Sequence, residues 1–167
     1  MKPGLFVLDV QNRFFEMGET TRKSLEAAVP YIQGALQLFR NRGLPVFWVQ
    51  HEIRENESDE ETRGFALPHF FQTLPEDVRI VKKTGSMFLE TPLAQILHQR
   101  EVDTLIITGF SAEHCVLASI MAATDLGFFP IILRGALASG TPENIPFVER
   151  IQNTVSFDVL ARFLENC

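Results

Sequence analysis

The sequence predicts an α/β fold: a single-domain, doubly wound, mostly parallel six-stranded sheet with helices on both faces, a Rossmann-like three-layer arrangement. Three observations predict it. Short apolar runs alternate six times with helical segments. The clearest runs are continuously apolar, as strands buried on both faces are, not alternating in the manner of half-exposed strands. The chain has 167 residues, of which 46% are apolar, and this suits one core over residues 1–167. Strand–helix–strand alternation of this kind folds through right-handed crossovers.

The elements follow in order. Leu5-Phe6-Val7-Leu8 is a short apolar strand ending at Asp9. Thr20 or Thr21 caps a helix reaching Arg42, with Gly43 as its stop. Within it Leu25, Ala28, Val29, Ile32, Ala35, Leu36 and Phe39 recur at helical spacing. Pro45 to Val49 is the second strand, and Glu52 to Thr62, charged and without apolar periodicity, reads as a solvated loop. The aromatic stretch Phe65 to Leu74 contains Pro68 and is placed over a pocket. Val78 to Val81 is the third strand, ending in Lys82-Lys83. Thr91-Pro92 starts a helix running to about Arg100, with proline at its first position. Asp103 to Thr108 is the fourth strand, ended by Gly109, and a helix of small residues runs from Glu113 to Leu126. Phe129 to Leu133 is the fifth strand, Thr141-Pro142-Glu143 opens another helix, and Thr154 to Ser156 is the last strand. A terminal helix carries Leu160, Phe163 and Leu164.

Composition narrows the function. The net charge is −6 and the basic residues are scattered, which argues against nucleic acid or an acidic membrane as partner. No window approaches the ~18 to 20 apolar residues of a membrane span. The N-terminus lacks signal-peptide architecture, and Cys115 and Cys167 make no disulfide framework, so a cytoplasmic protein is expected. No G-x-G-x-x-G or P-loop is present. Fifteen phenylalanines point to aromatic packing or an aromatic pocket.

In open parallel sheets, ligands bind beyond the carboxyl ends of the strands, near the point where strand order reverses. Asp9, Lys82 and Cys115 all follow strands. Singly, each has a plain reading: an Asp capping a turn, a Lys in water, a Cys serving as a small hydrophobe. Together they suit nucleophilic catalysis. Backbone N–H groups at the helix start favour a thiolate and can bind an oxyanion. Lys82 is expected to lower the thiol pKa further. Asp9 is expected to accept the thiol proton and return it to a leaving amine, then to activate water.

These residues resemble the isochorismatase-like cysteine hydrolases. That family carries an Asp ending the first strand, followed by Gln and Phe, here Asp9, Gln11 and Phe14. It carries a Lys six residues before a Phe, commonly with Ser two before that Phe and then Thr and Leu. Here these are Lys82, Ser86, Phe88, Thr91 and Leu93, a register that selects Lys82 over Lys83. It carries Thr-Gly, five residues, then Cys-Val, here Thr108-Gly109 and Cys115-Val116. The resemblance covers nearly the whole chain in order. It implies a Cys115–Asp9–Lys82 triad, a cis peptide between Phe110 and Ser111, a small-molecule substrate, and a homodimer or homotetramer. No cofactor is expected.

Departures limit the activity. Ala112 stands where many members have Thr. His51, Glu52, Asp59 and His69 lack the Asp-x-His spacing of metal-binding nicotinamidases, so no metal is expected. True isochorismatases cleave a vinyl ether without a nucleophilic Cys, so Cys115 points instead to C–N bonds of small amide, carbamoyl or ureido compounds. Ser111 and Phe110 are assigned to the oxyanion turn, and Phe14, Gln11, Trp48 and His114 to the substrate pocket. Glu113 is read as complementing the helix N-terminus. Competing readings remain open: a silent binding protein of the same family; Ser111 in an imperfect G-x-S-x-G elbow; and a dehalogenase-type phosphatase, for which Gln11 stands where a second Asp is needed.

Overall fold

The structure is a computed structural model that describes residues 1–53 and 59–165. Cys167 and part of the expected 52–62 loop therefore lie outside the described residues. Six strands form one sheet: β1 (Pro3–Leu8), β2 (Val46–His51), β3 (Val78–Lys82), β4 (Thr104–Phe110), β5 (Phe129–Ala138) and β6 (Thr154–Val155). Their order is β3-β2-β1-β4-β5-β6 and every pairing is parallel.

The helices are α1 (Asn12–Phe15), α2 (Glu19–Arg40), α3 (Asp59–Phe65), α4 (Leu93–Gln99), α5 (Leu117–Asp125), α6 (Ile145–Ile151) and α7 (Phe157–Leu164). A π-helical turn, Ala112–Val116, precedes α5, and a 3₁₀ turn, Pro142–Asn144, precedes α6.

Strand β1 shows why its sequence is continuously apolar. Leu5 and Val7 enter one core with Leu25, Ile32, Phe39 and Leu160 from α2 and α7. Phe6 and Leu8 enter a second core with Leu93, Leu97, Ile120 and Val148 from α4, α5 and α6. Successive residues point to opposite faces, and here both faces are covered. Between β1 and β2, Phe6 stacks on Phe47 with ring centroids 4.5 Å apart.

Gly109 does not end its strand. It has φ +110° and lies against the Leu8 backbone so closely that a Cβ has no room. This glycine lets β4 run on to Phe110 beside the end of β1. Strand β5 likewise continues past Leu133, because a register shift opposite Ile107 and Gly109 brings Leu137 and Ala138 back into pairing. The apolar run is broken there by Arg134 and Gly135, so the sequence understated the strand.

Helices α1 and α3 were not expected. α3 lies in the charged segment read as loop, and tertiary contacts hold it. Arg13 Nη2 pairs with Glu61 Oε2 at 2.8 Å, Asn12 Nδ2 donates to the Arg63 carbonyl at 2.9 Å, and the Asn12 N–H donates to Ala66 O at 2.9 Å. Gly43, at φ +63°, follows α2 as expected.

Candidate active site

The order of strands reverses between β1 and β4, and the site lies beyond their carboxyl ends. Asp9 follows β1 directly. Its N–H donates to Val49 O at 2.8 Å, and its φ of +53° turns the chain sharply. The left-handed region costs a non-glycine residue of the order of 1 kcal/mol, and Asp tolerates it better than most. Lys82 ends the edge strand β3 and is buried, whereas Lys83 is exposed. Cys115 is carried by the π-helical turn after β4 and remains partly exposed.

These three strand ends converge. Lys82 Nζ lies 2.9 Å from Asp9 Oδ2, with both side chains sealed from solvent. The same nitrogen lies 3.3 Å from Cys115 Sγ and donates to the Thr84 carbonyl at 3.0 Å. Two of its three N–H donors are thus accounted for by Thr84 O and Cys115 Sγ. The Lys82–Asp9 contact is an ion pair more than an aligned hydrogen bond, and neither oxygen of Asp9 has a hydrogen-bond partner among the described residues. Burial therefore dominates and pushes the Asp9 carboxyl above its ordinary range, against the pull of Lys82.

The thiol departs from the sequence expectation. Burial and the neighbouring Asp9 charge push Cys115 up to about 11, and Lys82 offsets this only in part. The ammonium is shared with a carboxylate, which weakens its pull on the sulfur and favours the thiol form.

The turn itself is tied down by Glu113. Its carboxylate accepts from Ser111 Oγ at 2.9 Å, from Ser139 Oγ at 2.8 Å and from Asn144 Nδ2 at 3.1 Å. Burial alone would raise this carboxyl, but its own backbone N–H and the donors Asn144, Ser139 and Ser111 hold it below the usual range. The Ser111 carbonyl accepts from the N–H groups of His114 and Val116, on either side of Cys115. The Phe110–Ser111 peptide is cis. Behind Lys82, the 84–91 segment is fixed to α5 by Met87 N–H on Ser119 Oγ at 3.0 Å, and Thr91 Oγ1 donates to Met87 O at 2.6 Å.

Phe14 and Phe110, expected in the pocket and the turn, pack on each other with centroids 4.9 Å apart, and both are largely buried. Gln11 is not open to a pocket. It is fully buried and bonds the backbone of His51 through both ends of its amide. Trp48 is also no pocket wall: it is sealed in the core, with Nε1 donating to Asp77 Oδ2 at 2.8 Å. Trp48 points inward from β2 and Gln11 from the turn before α1, and their burial leaves neither a ligand-facing surface. His114 is exposed, because the π-helical turn directs it away while bringing Cys115 inward. Ser111 Oγ bonds a carboxylate and no histidine, which removes the serine-elbow reading. Pro68 and Phe71 border a cavity of about 370 Å³ with Gln50 and Arg79, and its lining includes none of Asp9, Lys82 or Cys115.

His51, weighed from the sequence only as a metal ligand, belongs to this site. Its Nδ1 lies 3.8 Å from Cys115 Sγ, and burial, then Lys82, hold its pKa below the ordinary value. The only signal was its place after the apolar run of β2. Donor atoms of Asp9, His51 and Cys115 lie within 4.8 Å of one another, a spacing that could hold a metal. The donor set does not fit one, because the Lys82 ammonium already occupies the contacts a dication would need.

The class these observations define is a doubly wound α/β protein with a thiol, a carboxylate and an ammonium meeting at its switch point. The chain belongs to the isochorismatase family: the Isochorismatase domain matches residues 3–147. It is 30% identical over 159 residues to the uncharacterized isochorismatase family protein YrdC of Bacillus subtilis (strain 168), covering 94% of this chain and 81% of that one. It is 27% identical over 161 residues to N-carbamoylsarcosine amidase of an Arthrobacter species, covering 84% and 61%. It is 31% identical over 160 residues to the Probable inactive nicotinamidase At3g16190 of Arabidopsis thaliana, covering 83% and 82%. An isochorismatase-like hydrolase from Alkaliphilus metalliredigens shares the fold, with a TM-score of 0.85 at 21% identity over 96% of this chain and 95% of that one. Among the described residues no helix is long and apolar enough to cross a membrane.

Proposed function

We propose that this protein is a cysteine-dependent hydrolase that cleaves a C–N bond of a small amide, carbamoyl or ureido compound through a thioester. One observation carries the reading: a partly exposed sulfur 3.3 Å from a buried ammonium that is itself 2.9 Å from a buried carboxylate. The similarity to an N-carbamoylsarcosine amidase supports the choice of bond.

The resting thiol gives its proton to Asp9 as the sulfur attacks the carbonyl carbon. Burial makes Asp9 a stronger base than an ordinary carboxylate, which narrows the proton-transfer gap to the thiol. Lys82 stabilises the charge that develops on sulfur. The carbonyl oxygen takes the negative charge and is held by the backbone N–H groups of Ser111 and Cys115, each worth roughly 3 to 4 kcal/mol in such roles. The C–N bond then breaks as Asp9 returns the proton to the departing nitrogen. A water cleaves the acyl–Cys115 thioester.

The test is ammonia release across a panel of small primary amides, carbamoyl and ureido compounds, comparing wild type with Cys115→Ala. The reading expects release by the wild type alone. Equal rates for both proteins would refute the cysteine assignment, and no release from either across the panel would favour a binding protein.

A further inference from the structure

Asp9 and Lys82 are sealed, each 1% exposed, so neither has a face toward bulk water. His51 ends β2 beside them and is half-buried, with Nδ1 3.8 Å from the sulfur of the partly exposed Cys115. The ring is presented firmly, because Gln11 holds both backbone polar groups of His51. The groups facing it are Asp9 from β1, Lys82 from β3, Arg13 from α1 and Cys115 from the π-helical turn. Burial and then Lys82 favour the neutral ring, with Asp9 and the Lys83 backbone pulling the other way. A neutral imidazole that donates one N–H keeps a lone pair on its other nitrogen.

We propose that His51 is a further catalytic residue, the base that activates water in the second half of the reaction; this rests on the cysteine-hydrolase reading above. Asp9 gives its proton to the departing amine, and the amine leaves a space beside the Cys115 acyl group, whose sulfur lies 3.8 Å from His51 Nδ1. Water enters there, its oxygen forms a bond to the thioester carbon, and one of its protons passes to the ring. The tetrahedral adduct collapses by breaking the C–S bond. The Cys115 thiolate leaves, takes the proton back from the imidazolium, and the carboxylic product departs. Two half-reactions thus use two bases, one dry and one wet.

The experiment follows p-nitrophenyl acetate hydrolysis by stopped flow with the full chain. The wild type should release one equivalent of p-nitrophenolate in a burst and then turn over steadily, and Cys115→Ala should show no burst. His51→Gln should keep the burst amplitude and rate while its steady rate falls about 100-fold, with acetyl-Cys115 accumulating by mass spectrometry. A burst slowed as much as the steady rate, or an unchanged steady rate, would overturn the assignment. Should His51→Gln fail to fold, His51→Ala with added imidazole replaces it. Recovery of the steady rate above the buffer-catalysed rate supports the role, and no recovery overturns it. A wild type without a Cys115-dependent burst sinks the underlying cysteine reading, and this outcome is seen without any His51 variant.

Discussion

Gln11 holds His51 from both ends of its amide: Nε2 donates to the His51 carbonyl at 3.1 Å and Oε1 accepts the His51 N–H at 2.7 Å. The contact joins the turn after β1 to the last residue of β2, and so sets the distance between the groups that follow the two strands. Gln11→Leu keeps similar bulk but leaves two backbone groups unpaired in a buried place. We predict a loss of about 2 kcal/mol by chemical denaturation. A loss below about 0.5 kcal/mol would show that the bridge only fills space.

Alkylation should be slow at neutral pH. With its thiol pushed up to about 11, Cys115 presents little thiolate there, and the rate with iodoacetamide should climb without a plateau through pH 9. Lys82→Met removes the one group that lowers the thiol pKa and should slow alkylation further at every pH. A plateau near neutrality in the wild type would mean that the ammonium, not burial, governs the sulfur.

Glu113 should give a pH-dependent contribution to stability. Its carboxyl is depressed in the folded state, so its stabilisation is full above the unfolded value and is lost as pH falls through the folded one. Glu113→Gln should be less stable than wild type by about 1 kcal/mol at pH 7. Denaturation curves should begin to converge near the ordinary carboxyl range and meet only below the depressed folded value. A gap that persists in acid would assign the effect to packing.

Trp48 should matter to stability and not to chemistry. Trp48→Phe loses the 2.8 Å bond to Asp77 and part of a sealed ring, and should cost about 2 kcal/mol. Its kinetic constants should match wild type at a temperature where both are folded. A raised KM would restore Trp48 to the pocket.

The sheet was legible because β1, β2 and β4 are buried on both faces, and such strands leave continuous apolar runs that no helix shares. Asp9, Lys82 and Cys115 were legible because each follows a strand, where these sheets gather ligands. What failed depended on tertiary contacts. α3 has no apolar periodicity, and Arg13 and Asn12 hold it. Trp48, within β2, and Gln11, in the turn after β1, lie near the strand ends, but their polar atoms are spent on Asp77 and His51. The thiol pKa was misjudged because adjacency to Lys82 says nothing of Asp9 sharing that ammonium. His51 was considered only as a metal ligand, because one histidine after a strand carries no pattern that ties it to a cysteine.

The central claim is that the sulfur of Cys115 becomes covalently bonded to the acyl group of its substrate. Acid-quenched turnover on the most active member of the amide panel, followed by peptide mass spectrometry, reads this directly. The account predicts an added acyl mass on the peptide carrying Cys115, absent in Cys115→Ala and labile to hydroxylamine. Steady turnover with that peptide unmodified at every quench time, and undiminished in Cys115→Ala, would contradict it.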